Sequence, residues 1–204
     1  MRHVSRPVAL GALIAALAAA NCASAVKSVY QKPGFETHEL KYMKRVAVIV
    51  DQGSTVTADQ PVRDKMLVFR TREHLIHHSE FIGYPAKPGP ILDVCKAEKK
   101  LNGIFLHRIS SLKKDGSDLK LGLVTGLYDC KTGERLWEAT ASVSYEMNDS
   151  DFGTLIAGDV KRFGEAAKTY SAPFYRLIAK LFDSLPNPEL GDEEKLEKID
   201  ADAN

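Results

Sequence analysis

The sequence predicts an α/β (α+β) fold: one domain with a mixed sheet of about five strands, a C-terminal antiparallel hairpin and helices packed on the sheet. Two observations predict it. Strand-like and helix-like segments alternate through the first half of the chain, an order that favours parallel strands joined by helical crossovers. Residues 118–147 instead consist of two strand-like runs joined by a short turn, and such strands pair antiparallel.

The hairpin 118–147 has the clearest pattern. Leucines at every second position from Leu119 to Leu123 alternate with smaller or polar residues, as in a half-buried strand. Gly133, in the turn 129–134, suits a positive φ. The return strand alternates apolar with polar residues, and its apolar positions are Trp137, Ala139, Ala141, Val143 and Tyr145. We therefore expect one face of this hairpin to be covered and Trp137 to lie in the core.

Four regions follow from composition. Residues 1–22 are predicted to be a signal peptide with a lipid box, and residues 23–42 a polar tether. Residues 43–188 form the α/β domain. Residues 189–204 carry seven acidic residues and two lysines, which predicts a mobile or lightly docked acidic tail.

The signal prediction depends on a basic start followed by a short apolar run. Val8–Ala20 has 13 uninterrupted apolar residues, enough for a signal core and too few to span a bilayer. Two cleavage sites follow it. Cys22 lies in a sequence similar to a lipoprotein box, although Asn21 is an unusual residue before the cysteine; ordinary cleavage after Ala25 is the alternative.

The cysteine count favours lipidation of Cys22. An exported chain enters an oxidising compartment, where three cysteines would leave one thiol unpaired. Lipidation of Cys22 removes that thiol and leaves Cys95 and Cys130 as an even pair. We therefore predict a disulfide between Cys95 and Cys130.

The first half of the domain reads as strand 44–51, helix 61–78, short strand 81–84, helix 91–101 and strand 104–110. Pro61 suits the first turn of a helix, and Asn102 with Gly103 suits a helix stop. The apolar face of the first helix is predicted from the spacing of Val62, Met66, Phe69 and Ile76.

Two helices are predicted after the hairpin. One long apolar face joins Ile156 to Tyr170, with members spaced three or four residues apart. Ser171 is then expected to cap a second helix, which ends before the Leu185–Pro188 segment. The buried stripe of that second helix is Phe174, Leu177, Ile178 and Leu181.

Few residues point to chemistry. The formal net charge is +1, so no overall field attracts nucleic acid. The chain has no phosphate-binding loop and no nucleophile elbow. We therefore predict no enzymatic activity, no catalytic residues and no cofactor. An enzyme with an unrecognised site is a third, minor hypothesis.

One pair of residues has metal-ligand spacing. His74 and His78 lie four residues apart on the predicted helix 61–78, so both imidazoles share a face. Spacing indicates no third ligand. A solvated helix end, where histidine also suits the dipole, is the competing interpretation.

From Lys44 onward, the chain resembles an uncharacterised family of predicted bacterial lipoproteins of the myxobacterial and leptospiral type. The resemblance is carried by Cys95, Gly103–Ile104, Leu127–Ala139, Leu185–Pro188 and Glu194–Ile199. It implies export and anchoring and lends no activity. The order of elements is also similar to small domains of envelope assembly lipoproteins, which is an analogy of fold alone.

These observations predict a non-enzymatic, lipid-anchored cell-envelope protein that acts as an interaction or assembly module. The membrane, through a palmitate-bearing anchor, and an envelope protein are its expected partners, without nucleic acid. Ala23 and Ser24 lack an acidic residue that retains lipoproteins at the inner membrane, so we expect the outer membrane, facing the periplasm. The alternative is a soluble periplasmic solute- or metal-binding protein.

Overall fold

A single sheet organises the computed structural model, which describes residues 26–51, 53 and 56–202. Within that part of the chain, the strands are β1 Val26–Gln31, β2 Arg45–Val50, β3 Ile82–Tyr84, β4 Gly103–Asp115, β5 Asp118–Asp129 and β6 Arg135–Glu146. The α-helices are α1 Gln60–His78, α2 Ile91–Ala97, α3 Gly153–Phe163, α4 Ser171–Phe182 and α5 Asp192–Asp202.

The sheet is mixed, as predicted, and its strand order is β1-β6-β5-β4-β2-β3. β2 pairs in parallel with both β3 and β4, while β4, β5, β6 and β1 pair antiparallel. The fold class is therefore confirmed, with six strands where about five were expected. β5 and β6 form the hairpin predicted at 118–147. β4, which precedes them and extends to Asp115, completes a three-stranded meander.

The extra strand lies in the segment interpreted as a tether. β1 pairs with β6, with Val29 opposite Ala139. Residues 35–42 then form two helical turns, from which Phe35 and Leu40 enter the core. The structure thus differs from the expected irregular tether over residues 26–42, because a few apolar anchors hold an otherwise polar segment against the sheet.

The acidic tail, predicted to be mobile or lightly docked, contains α5 and docks on the sheet. Glu194 lies 2.6 Å from the Nζ of Lys44, and Glu197 accepts bonds from both Nε and Nη2 of Arg45. The hydroxyl of Tyr84 also donates to Glu197. The charges that suggested a solvated tail therefore face two basic residues at the start of β2 and hold α5 against the sheet.

The two faces of the sheet carry separate cores. The larger core lies between the sheet and helices α1 and α4, and it contains Trp137, Phe105 and Leu177. The smaller core lies on the other face under α2, where Cys95 and Val94 pack near Ile49. This arrangement follows from the two crossovers, since α1 and α2 connect β2 to β3 and β3 to β4 in opposite directions along the sheet.

Several details of the observed helices differ from those predicted from hydrophobic periodicity. The most deeply buried positions of α1 are Arg63, Met66, Leu67, Arg70, Thr71 and Leu75, so its covered face is partly polar. α2 ends at Ala97. The single helix predicted from Ile156 to Tyr170 is broken at Gly164, whose positive φ of 86° favours glycine. A short 3-10 turn, Glu165–Thr169, carries the apolar spacing across the break.

A buried ion pair explains part of the polar face of α1. Arg70 Nη2 lies 2.5 Å from Asp159 Oδ1, and both residues are almost fully buried. The hydroxyl of Ser171 donates to the other oxygen of Asp159. Ser171 is therefore not the predicted helix cap; it ties the start of α4 to α3 and α1.

Candidate interaction surface

The outer edge of β1 is an accessible strand edge of the sheet. Among the residues that the structure describes, no strand pairs with this side of β1. The N–H of Lys32 donates to the carbonyl of Leu136 at 2.8 Å, which fixes the phase of the ladder. Because antiparallel bonding alternates, the backbone groups of Val29 and Gln31 point away from β6. We call this row of outward backbone groups the β1 edge.

Side chains along the β1 edge are also accessible. Val29 is 46% exposed and Tyr30 is 40% exposed. The guanidinium of Arg135 lies 4.6 Å from the centre of the Tyr30 ring, so the ring is held at the surface on the side of β6. An unpaired strand with apolar side chains is a template for another extended chain.

The predicted lipidation site lies outside the described residues, as do both predicted cleavage sites. Cys22 is four residues before Val26, the first residue of β1. Four extended residues reach about 14 Å at most. An anchor at Cys22 would therefore hold the start of β1 close to a membrane surface.

The predicted disulfide is present in the structure. The sulfurs of Cys95 and Cys130 are bonded at 2.05 Å, and their Cα atoms are 5.4 Å apart. Cys95 lies on α2, and Cys130 directly follows β5. The bridge therefore ties the short α2 to the turn of the β5–β6 hairpin and covers the smaller core.

His74 and His78 do lie together on α1, with ring centres 5.3 Å apart. The pKa of His74 is lowered to about 4, mainly by burial and also by the charge of His78, while Asp183 opposes both effects. Among the described residues, no group of three or more histidine, cysteine, aspartate or glutamate side chains has the arrangement of a metal site. The pair alone supplies two of the three or four ligands that zinc requires.

Sequence reasoning missed the β1 edge and the polar groups inside the fold. Val26–Gln31 is too short and too polar to show strand periodicity, although its two valines and one tyrosine favour a strand. His107 is fully buried between hydroxyls of Thr71 and Thr125, where the sequence pattern indicates only an apolar strand.

None of the helices within the described residues combines the length and apolarity needed to cross a bilayer.

Comparison with solved structures supports the fold. The chain is similar to the PelC dodecamer from Paraburkholderia phytofirmans, with a TM-score of 0.50 and 14% identity over 76% of this chain and 94% of that chain. It is also similar to lipoprotein GNA1162 from Neisseria meningitidis, with a TM-score of 0.41 and 12% identity over 58% of this chain and 96% of that one. The likeness to PelC, at 14% identity, shows a shared fold alone.

No protein-family model matches the chain, and no curated protein matches it. The resemblance to myxobacterial and leptospiral lipoproteins therefore stays a prediction from the residues that carry it.

Proposed function

We propose that this protein is a non-enzymatic, lipid-anchored module of the cell envelope that binds an extended segment of an envelope protein at the β1 edge. The observation that carries the proposal is the position of that edge. It offers unpaired backbone groups and the exposed side chains of Val29 and Tyr30. β1 begins at Val26, four residues after the cysteine predicted to carry lipid.

Strand addition fits this edge better than the other surfaces do. Backbone hydrogen bonds supply affinity in this mode, and alternate side chains supply specificity. The opposite end of the sheet is the three-residue β3, and α5 packs beside it through Glu197 and Tyr84. That end is short and partly covered, whereas β1 presents six residues.

The alternative is a soluble periplasmic solute- or metal-binding protein, and its metal-binding form is less well supported. It would rely on His74 and His78, which have no third ligand among the described residues. An anchored interaction module needs only the lipid box and the accessible edge.

Replacing the predicted anchor is the first test. Cys22→Ser is expected to move the protein from the membrane fraction to the soluble periplasm, because a serine cannot accept the thioether-linked lipid. The measurement is fractionation of cells expressing each form, together with metabolic labelling by palmitate. Wild-type protein that takes up no label and is already soluble would exclude the anchor.

The second test changes one outward backbone group of the β1 edge. Val29→Pro removes an N–H that points away from β6, so the sheet keeps its internal bonds while the edge loses a donor. The full-length variant and wild type are each used as bait to capture proteins from solubilised envelope. The variant is expected to retain at least tenfold less of the partner that wild type enriches, which corresponds to about 1.4 kcal/mol or more of binding free energy.

Val29→Thr is the matched control, because threonine keeps the N–H and a β-branched shape. It is expected to capture as much partner as wild type does. Equal thermal stability of the two variants would show that the edge changed and the fold did not. If Val29→Pro captures the partner as well as Val29→Thr, the β1 edge is not the interface. If wild type captures only a second copy of this chain, the proposed envelope partner is wrong and the β1 edge mediates self-association.

A further inference from the structure

A groove at the carboxyl end of β2 has the features of a ligand site. We call it the β2 groove; it has a volume of about 460 Å³. Small-molecule sites commonly measure about 300–1,000 Å³. It lies between the end of β2, helices α1 and α3, and the segment after β3, and its apolar lining is Val50, Val68, Phe69, Ala86, Pro88 and Phe163.

The topology of the sheet places the groove where ligands commonly bind. β2 lies between two parallel neighbours, β3 and β4. The chain leaves β2 through α1 toward β3, then returns through α2 to the other side of β2. The carboxyl end of β2 is therefore a point where the strand order reverses, and crevices form at such points because the two connections diverge.

The floor of the groove is aromatic and aliphatic. Phe69 on α1 meets Phe163 on α3 edge to face, with ring centres 5.5 Å apart. Both rings and the side chain of Val68 are only partly buried, so water contacts apolar surface there. A ligand with a hydrocarbon body would remove that surface from water.

The rim of the groove is cationic. Arg162 and Lys65 are exposed lining residues, and neither forms an ion pair within the described part of the chain. The guanidinium of Arg162 lies 4.2 Å from the centre of the Phe69 ring, which orients its donors above the apolar floor. The one lining carboxylate, Asp64, already accepts a bond of 2.8 Å from Arg63 Nε.

We propose that the β2 groove binds a single-chain anionic amphiphile, with its hydrocarbon chain along Val68, Phe69 and Phe163 and its carboxylate or phosphate at Arg162 and Lys65. The apolar floor selects the chain, and the two unpaired cations select the sign of the head group. The site is separate from the β1 edge, which lies at the opposite end of the strand order.

The test is calorimetric titration of the purified, detergent-free full-length chain carrying Cys22→Ser with monomeric dodecanoate. Saturable binding of one equivalent is expected. Dodecyl phosphate is expected to bind as well, while dodecyltrimethylammonium, which has the same chain and the opposite charge, is expected to bind at least tenfold more weakly. Equal binding of the cationic and anionic amphiphiles, or no binding of either, would overturn the proposal.

Variants locate the site. Arg162→Glu and Lys65→Glu are each expected to weaken dodecanoate binding about tenfold or more, because each places a carboxylate beside the head group. Lys180→Glu is the control: it makes the same charge change at an exposed position of α4 that does not line the groove. Ala86→Phe is expected to abolish binding by filling the groove without changing charge.

An equal loss of affinity in Lys180→Glu and Arg162→Glu would show that only net charge matters, which would contradict a built site. Anionic vesicles distinguish the source of the ligand. If dodecanoate binds and vesicles do not, the site takes free amphiphile; if vesicles bind and Arg162→Glu abolishes this, the same site takes a membrane lipid. Failure of both with an intact β1 interaction would refute the groove and leave the proposed function standing.

Discussion

Replacing Trp137 with alanine is expected to lower the free energy of unfolding by about 3–5 kcal/mol. The indole is fully buried in the larger core. Its ring centre lies 6.4 Å from that of Phe105, which it meets edge to face, and 6.1 Å from that of Phe182. The substitution therefore leaves a cavity between β4, β6 and α4 that these rings cannot close without moving the backbone.

The measurement is denaturant unfolding of wild type and variant, followed by circular dichroism. Trp137→Phe is the matched control and is expected to lose less stability, because it keeps an aromatic ring and removes an indole N–H that has no hydrogen-bond partner among the described residues. Trp137 is the only tryptophan in the chain, so wild-type emission reports this ring alone. Emission typical of a water-exposed indole, or a loss below about 1 kcal/mol in Trp137→Ala, would contradict the packing.

The parts of the fold that could be predicted are those where burial follows a simple period. In β2, every residue from Val46 to Val50 is buried because helices cover both faces. In β6, one covered face produces the strict alternation that starts at Trp137. The alternation in β6 is typical of a half-buried strand, and the continuous apolar run in β2 is recognised as a strand by its short length and its β-branched residues.

The two ends of the domain could not be predicted in this way. β1 is an edge strand with mostly exposed residues, so its side chains need not alternate. α5 turns its charged residues Glu194 and Glu197 toward the sheet and leaves Leu196 65% exposed. Hydrophobic periodicity does not detect docking by ion pairs, so this pattern gave no sign that α5 packs on the sheet.

The candidate surfaces could be identified only from the sheet topology, because no sequence motif marks them. The disulfide between Cys95 and Cys130 could be predicted by counting thiols in a chain with a predicted export signal, because an even number of cysteines in an oxidising compartment suggests a bridge before any geometry is known. No comparable count of residues in the sequence indicates the β1 edge or the β2 groove. They arise from where strands end and which strand lies outermost, and the residues involved are scattered from Val29 to Phe163.

A buried histidine gives the second large effect, which depends on pH. His107 is fully buried on β4, with Nε2 2.9 Å from the hydroxyl of Thr71 and Nδ1 2.7 Å from that of Thr125. A neutral imidazole has one donor and one acceptor nitrogen, and two hydroxyls satisfy both. Protonation would place a charge there with no balancing carboxylate among the described residues, and burial accordingly lowers the pKa of His107 from 6.5 to about 3.

We therefore expect the protein to lose stability as the pH falls below about 6.5, the pKa of histidine in the unfolded chain. Between that value and about 3, the unfolded state carries a proton that the folded state excludes, so the loss approaches about 1.4 kcal/mol per pH unit from this residue.

Urea unfolding at several pH values measures the slope of stability against pH, with Trp137 emission as the probe. His107→Gln keeps a donor and an acceptor between the two threonines but cannot take up a proton, so its slope is expected to be smaller by that amount. His38→Gln, at an exposed histidine, is the control and is expected to follow wild type. Equal slopes for wild type and His107→Gln would show that the folded state accommodates a charged His107.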